Sequence, residues 1–407
     1  MPTEVVTGPE AAGWAALLRH ERIPFVSYPY EWTFGMLRDA ALLQLELLLA
    51  ALDEDMILKD SSPYNVQWRG AVPVFIDVGS FERLRPGEPW VGYRQFCMLY
   101  LYPLLLQAYR GVDFQPWLRG SIDGIPPAQL SALMSFRDSF RRGVLTHVRL
   151  HARLERRYGG RSRDVKRELK SAGFGKELIR ANVRKLEKLV RRLRWEPETS
   201  DWSSYATESP YAEADAARKE AFVREAASTR PGGLVWDLGT NDGRYARVAA
   251  ETARYVVAVD ADRLVADRLY RELAAEESAS ILPLTLNVAD PSPDLGWRGL
   301  ERRSLAARGG PDLTLCLALL HHLAISANVP LREVVDWLAG LGTSLVAEFV
   351  DREDPMVRRL LVGKREETHV DYTRESFERL LGEAYEIART ETLSSGTRTL
   401  YLAHPRR

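Results

Sequence analysis

Cysteine is scarce. Of 407 residues only Cys97 and Cys316 carry a thiol, far apart and in no partner pattern. That excludes a disulfide framework and a cysteine-built zinc site, and it fits a reducing compartment, expected here to be the cytoplasm. Long apolar runs are missing too. The two most apolar stretches, ALLQLELLLAAL (41–52) and MLYLYPLLL (98–106), are too short or too interrupted to cross a bilayer. Both are expected as buried helices, and no membrane partner is expected. The opening residues MPTEVVTGPEAAG lack a basic segment followed by an apolar one, so no secretory signal is expected there. No internal repeat and no low-complexity tract occurs.

What is present is an ordinary globular composition, 45% hydrophobic and 28% charged, in a chain long enough for two or three domains. The formal net charge of zero hides an asymmetry. Between His151 and Trp195, sixteen Lys or Arg stand against five Asp or Glu. Such a block suits nucleic acid, an anionic polymer or an acidic partner, or a solvated helical connector packed on acidic neighbours. Three regions are expected: 1–150 with mixed strand-like and helical pieces, the basic helical connector 151–226, and 227–407.

The last region alternates short β-rich runs with helical stretches, the pattern of a parallel α/β sheet. The runs are LVWDL (234–238), YVVAVD (255–260), ILPLTLNV (281–288), DLTLCLAL (312–319) and SLVAEFV (344–350). Beyond them YEIARTETL and TRTLYLAHP, joined across Ser-Ser-Gly, read as a closing antiparallel hairpin, which makes seven strands.

The first of these strands runs into DLGTNDG (237–243), after which a helix is expected near Tyr245. Gly239 and Gly243 allow a sharp turn and a close approach to a ligand with no Cβ in the way. The helix start beyond them offers free N–H groups and partial positive charge. A dinucleotide loop would read Gly-x-Gly-x-x-Gly; here an acid precedes Gly-x-x-x-Gly, with Asn241 between. Asp237 would repel a pyrophosphate and suit an ammonium group. Asp260 closes the next strand, where a carboxylate can accept both hydroxyls of a ribose. A ribose joined to a cationic amino acid tail is S-adenosylmethionine, the cofactor these residues point to.

On these residues the stretch 227–407 resembles a class I S-adenosylmethionine-dependent methyltransferase, with DLGTNDG, including Asp242, in the place of the family's first motif. The resemblance implies a Rossmann-like sheet of strand order 3-2-1-4-5-7-6. It also implies that Asp260 binds the ribose and that Asn287 and Val288 border the adenine. Asn287 stands where Asp is commoner, with Asp290 close by. The run ALLHHLA (318–324), which contains Leu319, resembles the loop lining the methyl-transfer pocket. The whole chain resembles nodulation-protein-like methyltransferases that carry an extra N-terminal region.

Methyl transfer is an in-line displacement, so the protein's work is to orient two partners and to remove a proton. His321 and His322, just past the fourth strand, are the candidate bases, one of them acting and the other packing. Glu348, at the end of the fifth strand, is the candidate orienting carboxylate, or else a partner for nearby arginines. Tyr205 and Tyr211 in DWSSYATESPY (201–211) are candidate lid residues over the cofactor, or packing residues at the sheet edge. No Asn-Pro-Pro-Tyr-like tetrapeptide follows the fourth strand, which argues against exocyclic base amines as acceptors. Cys316 lies mid-strand, where burial would silence a nucleophilic thiol. An oxygen or nitrogen of a small molecule, a glycan or a peptide is the expected acceptor. RNA, held by the basic 151–195 segment, is the alternative.

Residues 24 to 80 resemble the middle of a kinase fold. PFVSYPYEW stands for the hinge, MLRDAALLQLELLLAAL for the long helix, and Asp60, Asn65 and Asp77 for the catalytic and metal-binding positions. What precedes them does not fit. Residues 1–57 contain no lysine and no glycine-rich flap, so nothing there would hold a nucleotide's phosphates. The region reads as a degenerate, pseudokinase-like accessory lobe of α+β type, kept for packing, substrate capture or partner binding. The rival readings are a phosphotransferase using Asp60, Asn65 and Asp77, and a scaffold that binds no cofactor. No metal site is expected.

Overall fold

The computed structural model describes residues 1–158, 175–197, 213–365 and 368–406. They form two units, one of residues 1–68 and 73–196, the other of residues 69–72 and 197–407. The stretch expected as a separate connector is therefore divided between them. Helices Leu150–Tyr158 and Lys176–Arg192 belong to the first unit and helix Glu213–Ser228 to the second.

The first unit is organised around helix Phe34–Asp53, one of the two apolar runs. Thr33 starts it by accepting the Met36 N–H on its side-chain oxygen at 3.2 Å. Leucines and alanines are distributed around most of its circumference, and Leu37, Ala41, Leu45, Leu48 and Leu52 are buried. A helix apolar nearly all round needs cover on several sides. Helix Lys176–Arg192 supplies one of them, packing against it with Ile179, Val183, Leu186 and Val190 turned inward. Its basic residues meet acids at that contact: Lys176 with Asp55 at 2.6 Å, Arg180 with Asp53 at 2.6 Å and Arg191 with Glu46 at 3.2 Å. The second half of the basic block, helix Lys176–Arg192, is thus packed on acidic neighbours. No helix among the described residues is long and apolar enough to cross a membrane.

Of the three kinase-like positions, Asp60 and Asn65 line a cavity of about 350 Å3 in this unit with Arg94 and Asp123. Asp77 stands outside its wall. It accepts a hydrogen bond from the Ser80 hydroxyl, whose oxygen also receives the Asn65 amide at 3.3 Å. Among the described residues, no group of three His, Cys, Asp or Glu is arranged to hold a metal ion.

The second unit is a seven-stranded sheet. Its strands are β1 Leu234–Leu238, β2 Tyr255–Asp260, β3 Ile281–Thr285, β4 Leu313–Cys316, β5 Ser344–Val350, β6 Tyr385–Thr392 and β7 Arg398–Pro405. In space they run 3-2-1-4-5-7-6, the order expected from the resemblance. Strands β1 to β5 are parallel, while β7 runs antiparallel to both β5 and β6. Two expected runs are longer than the strands they contain. β3 stops at Thr285 and β4 at Cys316, and the residues beyond turn into loops at the sheet's carboxyl edge. Apolar sequence continues there because those loops form cavity walls. The central strands are buried along nearly their whole length, as befits a parallel sheet covered on both faces. Strand β6 alternates between covered and exposed positions, as an edge strand does.

Candidate active site

Chain direction reverses its lateral progress between β1 and β4, which lie side by side. At such a switch point the loops after the two strands part, and a crevice opens at their carboxyl ends. A cavity of about 650 Å3 lies there, in the second unit alone. The loops after β1, β2, β3 and β4 line it, with helix Glu213–Ser228 and Glu348 of β5.

The β1 loop is built by backbone conformation. Gly239 and Gly243 take φ of 77° and 79°, and Asn241 takes φ 50°. A Cβ on Gly243 would stand 2.5 Å from Leu269 Cδ1, so its hydrogen lets the turn pass under helix Arg263–Ala275. Helix Arg244–Ala250 follows, with Gly243 as its N-cap, and starts one residue before Tyr245, where it was expected. Asp260 holds the loop in place. One carboxylate oxygen accepts the Asn241 N–H at 2.9 Å and the other the Asp262 N–H at 2.8 Å. Each oxygen keeps a further lone pair for a ligand hydroxyl.

Of the residues singled out in the sequence, Gly239, Asn241, Asp242, Asp260, Asn287, Val288, Leu319, His322 and Glu348 line the cavity. Three do not. Asp237 is buried behind the loop, where it accepts the Thr240 hydroxyl at 2.7 Å. Gly243 shapes the turn. His321 is fully buried off the cavity wall, its ring nitrogens without hydrogen-bond partners among the described residues. Of the two candidate bases, therefore, only His322 reaches the cavity. Tyr205 and Tyr211 lie outside the described residues.

The electrostatics follow from burial. Burial pushes the Asp237 carboxyl up to about 7, with Asp260 and Asp242 adding their repulsion. Asp260 is also raised, by burial first, against the backbone N–H groups of Asp262, Asn241 and Ala261, which favour its charge. Three neighbouring acids, two of them on the cavity wall, make a place for a cation. On the histidine side, burial lowers His322 to about 4 and takes His321 well below its ordinary value. Both rings are neutral at pH 7. Cys316 is buried and its thiol pushed up to about 12, as its mid-strand position implied.

Lys219 was not anticipated. It lines the cavity from helix Glu213–Ser228, with its ammonium 2.7 Å from Glu348 Oε1. Arg398 reaches the same Glu348 oxygen at 3.2 Å and holds Asp354 at 2.7 Å, so the pair continues into a chain of buried charges. A local signal existed. Asp215 and Lys219 fall on the same helical face as Phe222, Val223 and Ala226, and charges on an apolar stripe mark a buried network. Tyr245 and Arg244, also on the wall, carried no signal of their own.

These residues fit S-adenosylmethionine. The three acids, Asp242 and Asp260 at the wall with Asp237 behind, suit its cationic amino acid tail, and Asp260 keeps acceptor capacity for a ribose diol. Gly239 leaves the wall bare where a Cβ would meet Leu319 at 3.3 Å.

No protein-family model matches the chain. It is 34% identical over 389 residues to nodulation protein NoeA of Rhizobium meliloti (strain 1021), a match covering 95% of this chain and 81% of that protein. The chain belongs to the NoeA family. Sheet order, first motif and cavity chemistry agree that this NoeA-family chain is an S-adenosylmethionine-dependent methyltransferase of class I. Among solved structures, the N-methyltransferase NodS of Bradyrhizobium japonicum WM9 matches 48% of this chain over 98% of its own, at 12% identity and a TM-score of 0.35. Magnesium protoporphyrin IX methyltransferase ChlM of Synechocystis PCC 6803 matches 50% of this chain over 92% of its own, at 17% identity and a TM-score of 0.35.

Proposed function

We propose that this methyltransferase acts on an oxygen or nitrogen atom of a small molecule, a sugar or a peptide, in the cytoplasm. The observation that carries the reading is one cavity lined together by Asp242 and Asp260, by His322 and by the Lys219–Glu348 pair. Gly239, Asn241, Asp242, Asp260, Asn287, Val288 and Leu319 hold the cofactor in this reading. When bound, S-adenosylmethionine supplies a methyl carbon on a sulfonium, which departs as a neutral thioether.

The chain's own residues orient the acceptor and take its proton. His322, neutral at physiological pH, accepts the proton of an acceptor O–H or N–H at an imidazole nitrogen. Lys219 and Glu348 offer a donor and an acceptor side by side, which suits an acceptor rich in hydroxyl or amide groups. The first unit is an accessory body for substrate capture or partner binding. RNA is the less favoured acceptor. In the described helix Lys176–Arg192, three of the basic residues that would hold it are already paired with acids.

The test begins with calorimetric titration by S-adenosylhomocysteine and, separately, by magnesium-ATP. The expected result is tight binding of the first, at least tenfold weaker in Asp260→Ala, and no heat from the second. Transfer of labelled methyl groups to panels of hydroxylated small molecules, amines, sugars, peptides and RNA then sorts the acceptors. Label appearing only on RNA, or ATP binding without S-adenosylhomocysteine binding, would overturn the reading.

A further inference from the structure

The first unit carries an unusual surface between its helices Pro127–Leu133 and Leu150–Tyr158. Phe136 and Phe140 flank a single turn of helix with 78% and 81% of their surface exposed. Their rings stack edge to face at 5.6 Å, so the two most exposed phenylalanines of the described chain form one apolar knob. Leu145, Leu150 and Leu154 are also exposed, at the four- and five-residue spacing that puts them along one side of the following helical stretch. Arg149 fastens that stretch to the knob's base, donating to the carbonyls of Ser131 at 2.6 Å, Met134 at 2.7 Å and Ser135 at 3.0 Å. Knob and helix are therefore held together as one surface.

Leaving two phenylalanines and three leucines in water is costly, at about 25 cal/mol per Å2 of apolar surface, and a monomer's large apolar patch commonly marks a partner. The charges around the patch say which kind. Over residues 133–156 six arginines stand against two acids. Arg137, Arg142 and Arg153 are exposed and have no ion pair among the described residues. A hydrophobic knob with unpaired cations next to it in the chain and on the following helix is complementary to a surface that is negative outside and apolar just beneath. That is the interface of an anionic lipid bilayer, where aromatic and aliphatic side chains enter the headgroup boundary while arginines pair with phosphates. A second copy of the same patch would set like charges against each other.

We propose that the first unit binds anionic membrane surfaces peripherally, through Phe136 and Phe140 with Arg137, Arg142 and Arg153 around them. No helix among the described residues is long and apolar enough to cross the bilayer, and the contact is reversible and sensitive to salt. The inference is independent of the methyltransferase chemistry.

The test is sedimentation of the full chain with vesicles of phosphatidylcholine alone, and of phosphatidylcholine mixed with phosphatidylglycerol. The chain is expected to bind the mixed vesicles, to release as salt is raised, and to ignore the neutral ones. Phe136→Ser/Phe140→Ser is expected to weaken binding at least tenfold, with S-adenosylhomocysteine binding and thermal unfolding unchanged. Arg142→Gln/Arg153→Gln should lower binding and flatten its salt dependence. No binding to mixed vesicles, equal binding to neutral ones, or binding unchanged in the phenylalanine variant overturns the proposal. Concentration-dependent dimers abolished by that variant would also overturn it, and would assign the surface to a second copy.

Discussion

Lys219 and Glu348 form a buried ion pair on the wall of the cavity at the sheet's carboxyl edge, the ammonium lying 2.7 Å from one carboxylate oxygen and 2.8 Å from the other. They are 129 residues apart in the chain. The pair joins the helix that precedes the sheet to the fifth strand, and through Arg398 it reaches the final hairpin. Its position explains why this helix, with an unremarkable surface composition, reaches the cavity wall.

Breaking that pair leaves a buried charge. Lys219→Met is expected to destabilise the second unit by about 3 kcal/mol, the lower end for a broken buried pair because Arg398 still faces Glu348. Adding Glu348→Gln should recover part of the loss. Thermal unfolding of the two single variants and the double variant reads the coupling. Simple additivity would mean that the pair carries none.

His322→Gln tests the base. Methyl transfer is expected to fall by roughly 10²- to 10⁴-fold, the range typical of a lost general base, with S-adenosylhomocysteine affinity within twofold of the parent. His321→Gln changes a residue outside the cavity, so it should act on stability more than on turnover. Equal activity losses in the two variants would remove His322 from its assigned role.

Asp237 makes the second unit lose stability as pH rises toward neutrality. Its folded value of about 7 stands above the ordinary 3.8, so the folded state holds the proton more tightly. The stability this confers is full below pH 3.8 and is lost as pH rises through 7, about 4 kcal/mol in all. In Asp237→Asn that decline should vanish. A cationic cofactor favours the ionised carboxyl, so titrations with S-adenosylmethionine at pH 6.5, in buffers of different ionisation enthalpy, should show proton release that the variant lacks.

His147 has the opposite sign. Burial holds it at about 4 in the first unit, where its Nδ1 stands 2.8 Å from the Tyr93 hydroxyl. The unfolded imidazole binds a proton from about pH 6.5 downward. Stability should therefore fall as pH drops from 6.5 to 4, by about 3 kcal/mol. Acid unfolding followed in His147→Gln should show a shallower fall over that interval.

Gly243→Ala places a methyl group 2.5 Å from Leu269 Cδ1 on a backbone at φ 79°. A loss of roughly 1–3 kcal/mol is expected from the strained backbone, with weaker cofactor binding as the loop shifts. Trimming Leu269 to Val in the same chain should restore part of the binding, because the contact is with a side chain. No restoration would place the whole cost in the backbone.

Much of the second unit was legible in sequence. Its strands are continuous apolar runs because both sheet faces are covered, and its loop needs glycines because left-handed backbone excludes most side chains. Those are local demands, so they leave local marks. The acid at the end of β2 is legible for the same reason, since the chain must present it directly after the strand.

The rest was decided by parts of the chain meeting across distance. His321 and His322 are neighbours with equal credentials, and only the wide helical turn His322–Ser326 settles which ring faces the cavity and which is buried. Asp237 and Gly243 belong to the motif, yet burial behind the loop and contact with Leu269 give them work other than touching a ligand. Lys219 acquires its role from Glu348, and the basic helix Lys176–Arg192 loses much of its free charge to Asp53, Asp55 and Glu46. By itself the sequence determined the sheet, the turn chemistry and the class of cofactor, because each depends on residues within a few positions of one another. Tertiary structure alone decided which charges are paired, which rings are dry and which phenylalanines are left in water, because desolvation depends on what the rest of the chain brings alongside.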